Sequence, residues 1–203
     1  MESQDQDRPK RLRADAERNR AGLLASAQAA FASGQEQVTL EQIARDADVG
    51  IGTLYRHFPT REALVEALYR KELADLCAGA ADLLATHAPD DALRAWMDRF
   101  SGYVTAKREM ADALRVVFAS GAVTVSQIRE LLADAVQTIL DAGIAAGTLR
   151  DDVRAEDIVA TVVGMFTATS LAGGREQLGR MLNLLMDAIR RPPTVPVSKG
   201  TAG

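Results

Sequence analysis

Apolar positions recur along the chain at spacings of three and four, and no segment alternates hydrophobic and polar residues for long. This pattern predicts an all-α protein. A first helix is expected over 14–32, with Leu23, Leu24, Ala27, Ala30 and Phe31 on one stripe and Gly34 as a left-handed stop. Thr39 and Gln42 form a capping box, and Val38 is placed to staple onto Ile43, so a short second helix starts there. Its apolar support ends near Ala47. Asp48 then falls where a tight turn needs positive φ, which Asp tolerates better than most residues. A third short helix, Gly50 to His57, is anchored by Val49 and Leu54. Phe58-Pro59 ends it, because the residue before proline is driven out of the helical region.

Thr60 caps a long helix reaching to about Ala80, with Glu62 at its positive end. Twenty-odd residues at helical rise span about 30 Å, enough for a strut. Further helices are expected near 90–107, 109–120, 124–146, 155–172 and 174–190. Thr124 and Gln127 repeat the capping box, Val123 staples to Ile128, and Gly147 closes that helix. The ending PPTVPVSKGTAG has the composition of a disordered tail. The expected organisation is a mobile basic arm over 1–13, a small helical module over 14–68, a larger helical domain over 69–191 and a tail over 192–203.

A hydrophobic fraction of 47% supports a folded core. One cysteine, Cys77, excludes an internal disulfide framework and fits a reducing cytoplasm. The polar N-terminus lacks a secretory signal, and no apolar run approaches a membrane span. Net charge is −4, yet six basic residues (Arg8, Lys10, Arg11, Arg13, Arg18, Arg20) face two acidic ones between Arg8 and Arg20. A basic N-terminal segment on an acidic body directs attention to residues 39–58, which read helix, tight turn, helix. In such a motif the second helix is presented outward to a DNA major groove. Gly50 and Gly52 permit close backbone approach, while Thr53, Tyr55, Arg56 and His57 offer donors. Arg61 adds a cation beside the next helix's N-terminus, where exposed N–H groups suit phosphate oxygens.

The stretch TLEQIARDADVGIGTLYRHFPTREALVEAL resembles the DNA-binding signature of the TetR family of transcriptional regulators, above all through Thr53-Leu54-Tyr55-Arg56-His57-Phe58 and Arg61-Glu62. The likeness covers residues 14–68. It departs at Asp48, where the family usually has Gly, and at Gln35-Glu36-Gln37, which lacks the family's frequent aromatic. The resemblance implies an all-helical, DNA-binding regulator that works as a homodimer on a palindromic operator and answers to a small-molecule effector. It implies phosphate contacts from Thr39, Thr53, Tyr55, His57 and Arg61, and base contacts from Ile51, Gly52, Thr53 and Arg56. The C-terminal half is similar to the SbtR-like group through AAGTLRDDVRAEDI and the helix before it.

The remaining helices have two expected uses. Leu178, Met181, Leu182, Leu185 and Ile189 share one stripe, and Gly164 on the preceding helix allows close approach, so two copies would meet in a four-helix interface. Trp96, Phe100, Tyr103, Phe118 and Phe166 are candidates to line an effector pocket, and Lys107, Arg108 and Arg115 to meet an acidic ligand. Two histidines, His57 and His87, one thiol and no phosphate loop or metal cluster argue against an enzyme, a cofactor or a metal. A helical adaptor without DNA binding is the alternative function, and a redox switch through Cys77 the alternative control.

Overall fold

The computed structural model describes residues 7–33, 38–121, 123–169 and 174–192; residues 7–11, 105, 106, 108, 109 and 113 are described by backbone alone. The described residues form α1 (Asp7–Ala32), α2 (Leu40–Asp46), α3 (Ile51–His57), α4 (Arg61–Leu84), α5 (Pro89–Glu109), α6 (Ala111–Ala119), α7 (Val125–Ala145), α8 (Ala155–Thr169) and α9 (Arg175–Ile189). Among them the one extended pairing is an antiparallel bridge between Leu149 and Arg190.

Two helices are longer than their patterns predict. α1 begins at Asp7, so the expected arm is helical from there onward. Pro9 is compatible with a first turn, where its missing N–H would be unpaired anyway. α4 continues past Ala80 to Leu84, supported by the buried Leu83. Gly79 is no break there: a Cβ on it would stand 2.7 Å from the Arg99 guanidinium, so the missing side chain admits that group. The rest of the arm (1–6), the Gly34 stop, positions 170–172 of the helix predicted over 155–172 and the tail from 193 lie outside the described residues.

Helix ends follow local chemistry closely. Thr39 Oγ1 accepts the Gln42 N–H at 3.2 Å, but the Gln42 side chain turns to Asp46 and Arg45, so only half of that box forms. At Thr124 both halves form: its N–H donates to Gln127 Oε1 and its Oγ1 accepts from Gln127 N, each at 3.3 Å. Thr60 Oγ1 caps α4 by accepting the Ala63 N–H at 3.1 Å. α7 ends in a Schellman turn: Gly147 has φ 72° and donates to the Ile144 carbonyl, while Thr148 donates to Gly143.

The chain divides into two compact units, one of residues 1–76 with 100–128, the other of 77–99 with 129–203. Leu23, Ile43, Leu54, Leu64, Leu68 and Tyr69 are fully buried in the first. Each such side chain contributes roughly 1.5–3 kcal/mol of burial free energy. The second is built on Leu93, Trp96, Met97, Ile139, Leu140 and Leu149. Leu149 enters against Gly143, where a Cβ would come within 2.3 Å of it, and the Leu149–Arg190 bridge ties that loop to the end of α9.

Candidate nucleic-acid interface

The first unit presents two short helices on a third. α1 touches both α2 and α3, and Ile43, Ala44 and Leu54 are buried where the pair meets. The turn between them is a second Schellman motif. Asp48 has φ 55°, its N–H donates to the Arg45 carbonyl, and Val49 donates to Ala44, both at 3.0 Å. Asp48 thus does in this turn what Gly147 does after α7. Gly50 caps α3 in extended conformation without a side chain, and Phe58 closes it in extended backbone before Pro59.

With Leu54 buried, most of α3 faces outward. Ile51 is 37% and Tyr55 45% exposed, and Gly52 and Arg56 are exposed. Thr53 and His57 are half-buried, and the His57 ring lies 6.2 Å from that of Phe58. A Cβ at Gly50 or Gly52 would meet nothing within 4 Å, so the surface there is open. Thr39 is exposed, although its hydroxyl caps α2. Arg56 Nε makes a 3.3 Å bond to the Gly52 carbonyl. Arg61 is placed differently. It is half-buried, donates to the Val38 carbonyl and sits 5.6 Å from the Phe31 ring, joining the start of α4 to α1 and to the residue before Thr39. The structure therefore groups Ile51, Gly52, Tyr55 and Arg56 on one open surface and gives Arg61 a structural bond.

Residues 23–68 match the profile of bacterial regulatory proteins of the tetR family, and residues 88–191 match that of the C-terminal domain of SbtR-like transcriptional regulators. The chain belongs to the TetR family of transcriptional regulators. It is 47% identical to a TetR transcriptional regulator of Streptomyces coelicolor, superposing with a TM-score of 0.74 over 87% of this chain and 99% of that one. A TetR transcription regulatory protein of Mycobacterium vanbaalenii is 31% identical, with a TM-score of 0.66 over 89% of this chain and 99% of that one. Reduced NemR of E. coli, 19% identical with a TM-score of 0.61 over 86% and 99%, shares the fold. Among the curated proteins none matches. The helix-turn-helix of this TetR-family regulator is thus a DNA-binding element, and the relatives it matches are transcriptional regulators.

The predicted effector residues of the regulator fall into two groups. Trp96 and Phe166 are buried in the second unit. Phe100, Tyr103 and Phe118 belong to the first, where Tyr69, a residue the sequence did not single out, joins them: its ring lies 6.1 Å from Tyr103 and 5.6 Å edge-on from Phe118, and Phe100 lies 6.0 Å from Tyr103. Lys107 is held in this nest. Its Nζ donates to the Tyr69 hydroxyl at 2.9 Å and stands 4.3 and 3.8 Å from the Tyr69 and Tyr103 ring centres. Burial pushes the amine down to about 7, with the Glu72 carboxylate pulling the other way. Burial likewise raises the Glu72 carboxyl, partly offset by Lys107, and one Glu72 oxygen is buried without a partner. Arg115 pairs at the surface with Asp112, and the Arg108 side chain lies outside the described residues.

The α9 stripe points mostly into its own unit. Leu178, Leu182 and Ile189 are buried against the chain's own core, while Met181 and Leu185 are half-buried and Gly164 is exposed. Leu184, at 69%, and Val163 are the large apolar side chains of α9 and α8 left facing outward. Cys77 is half-buried, its thiol donating to the Leu131 carbonyl at 3.4 Å. Burial and Asp134 push the thiol up to about 11, which keeps it protonated and weakly nucleophilic. Among the described residues no helix is long and apolar enough to cross a membrane, and no group of three or more acidic, His or Cys side chains gathers as a metal site.

An open cleft of about 480 Å³ adjoins the DNA-binding surface, lined by Arg20, His57, Phe58, Ala63, Glu66, Ala67, Arg70 and Lys71. Sequence reading named Arg20, His57 and Phe58 for other reasons but did not bring this cluster together. Its only visible signals are Ala63 and Ala67 one turn apart on α4 and Arg20 within the basic run.

Proposed function

We propose that this regulator is a homodimeric repressor that binds a palindromic operator and releases it when a small molecule enters its helical core. One observation carries the reading: α3 holds Tyr55, Arg56, Ile51 and the bare Gly52 on an open surface while burying Leu54. Thr39, Thr53, Tyr55 and His57 hold phosphates and fix the register, which carries no sequence information by itself. Ile51, Gly52, Thr53 and Arg56 meet base edges, Ile51 against a thymine methyl and Arg56 against guanine acceptors. Arg61 spends one donor on Val38; a guanidinium has five N–H groups, so others remain for a phosphate.

Residues 14–68 read DNA, and 69–191 sense and dimerise. The exposed parts of α8 and α9, with Gly164, Met181, Leu184 and Leu185, form the self-complementary face; Leu178, Leu182 and Ile189 stiffen it from behind. Two recognition helices about 34–36 Å apart match successive major grooves. An effector that binds the two states of the dimer unequally shifts operator affinity by about 5–150-fold, for a coupling of about 1–3 kcal/mol.

Selection of bound duplexes from a random pool tests the reading. A palindromic consensus is expected, with affinity falling about 10³–10⁵-fold between 50 and 200 mM salt. A pool that yields no consensus, or a complex indifferent to salt, leaves a helical adaptor in its place.

A further inference from the structure

We propose that the cleft beside His57 is a second phosphate seat, which holds the backbone of duplex flanking the half-site that α3 reads; this rests on the DNA-binding function proposed above. The floor of the cleft is apolar and low. Phe58 is buried beneath it, and Ala63 and Ala67, neighbours on one face of α4, leave space that longer side chains would fill. The walls are basic: Arg20 comes from α1, Arg70 and Lys71 from α4 and His57 from the end of α3, against the single carboxylate of Glu66.

Two of these cations, Arg20 and Lys71, are loosely committed. Arg70 bonds Glu66 at 2.9 Å and Lys71 bonds Asp75, both as i,i+4 pairs with partly exposed side chains. Such pairs are worth under about 1 kcal/mol, whereas a phosphate offers several charged oxygens to the same donors. Arg20 is exposed, lies 5.4 Å from the Phe58 ring centre and makes no ion pair among the described residues.

The openness of the cleft selects its occupant. Pockets for small ligands enclose most of the ligand surface, which an open trough does not. A duplex already gripped by α3 loses no further translational freedom when the next stretch of backbone settles nearby, so weak contacts suffice. His57 is the link, because it belongs both to the cleft and to the recognition helix.

The test uses the full-length protein and two duplexes carrying the same selected operator. One is trimmed to the half-sites and one extended by about five base pairs at each end, roughly half a turn. The parent is expected to bind the longer duplex about tenfold tighter at about 0.1 M salt, with a salt dependence steeper by about one per protomer. R20Q/R70Q/K71Q is expected to bind both duplexes alike. Should that variant fail to fold, K71Q alone, at an exposed pair, must still reduce the length dependence. A parent that does not distinguish the duplexes, or a variant that keeps the steeper dependence, overturns the proposal. So does inorganic pyrophosphate that competes with both duplexes in the parent and not in the variant, since the cleft would then take free phosphates. Binding to no duplex at all sinks the DNA reading itself, a result distinct from equal binding to both lengths.

Discussion

Two parts of the first unit treat polar side chains in opposite ways. Along α3, Tyr55 and Arg56 reach outward from a helix anchored by Leu54. Around Lys107, an amine, two phenols and a carboxylate are drawn inward among aromatic rings. The first arrangement costs little without a partner, because water serves each group. The second carries a desolvation cost that the Tyr69 bond and ring faces only partly offset. A surface kept ready for a partner and a polar core under electrostatic tension are therefore separable by experiment, one through binding and the other through stability.

The largest effect is expected in the buried nest. The folded-state amine of Lys107 lies at about 7, against an ordinary value of 10.5. Between those values the unfolded chain binds more protons than the folded one, so stability should rise with pH from 7 toward 9, by about 1.4 kcal/mol per unit at most. Above pH 9 the thiol of Cys77, raised from 9.0 to about 11, works in the opposite direction. Denaturant unfolding across pH 7–9 should show this slope in the parent and lose it in Lys107→Met; equal slopes would place the amine in solvent. Next is Arg61→Ala, which strips the Val38 carbonyl of its guanidinium partner and should lower stability by about 2 kcal/mol, read as a fall in melting temperature.

On the open surface, Tyr55→Ala should weaken operator binding about tenfold while leaving the melting temperature unchanged, consistent with the loss of about 1.5 kcal/mol of charge-assisted bonding. A loss of stability from Tyr55→Ala as large as the pH-dependent change carried by Lys107 would erase the contrast between the two regions. The smallest expected effect is a gain. Asp48→Gly relieves a left-handed conformation, and unfolding should show a stabilisation of about 1 kcal/mol.

What the sequence made legible is what neighbouring residues decide among themselves. Thr124 with Gln127, Asp48 in its turn, Gly147 at the end of α7 and Phe58 before Pro59 stand as local chemistry requires. Gln42 shows the limit of that reasoning, because Arg45 and Asp46 compete for the same amide. The periodicity of α9 identified residues on one face but not the neighbour that covers them, and Leu178, Leu182 and Ile189 turn to their own core. Distant partners left no trace. Tyr69 meets Lys107, Arg61 meets Val38 and Arg20 meets Phe58 only after tertiary folding, so the nest and the α4 brace had no signature in local spacing, and the basic cleft had only the Ala63–Ala67 step and Arg20 in its basic run.

Gly143 shows how far one missing carbon reaches. Leu149 occupies the volume a methyl group there would claim, and its strand-like pairing leads directly to Arg190, whose guanidinium bonds Asp90 at the head of α5. An alanine at 143 would evict Leu149 and unfasten three distant segments together. Gly143 should accordingly tolerate no side chain at all, in a region remote in sequence from every residue assigned to DNA.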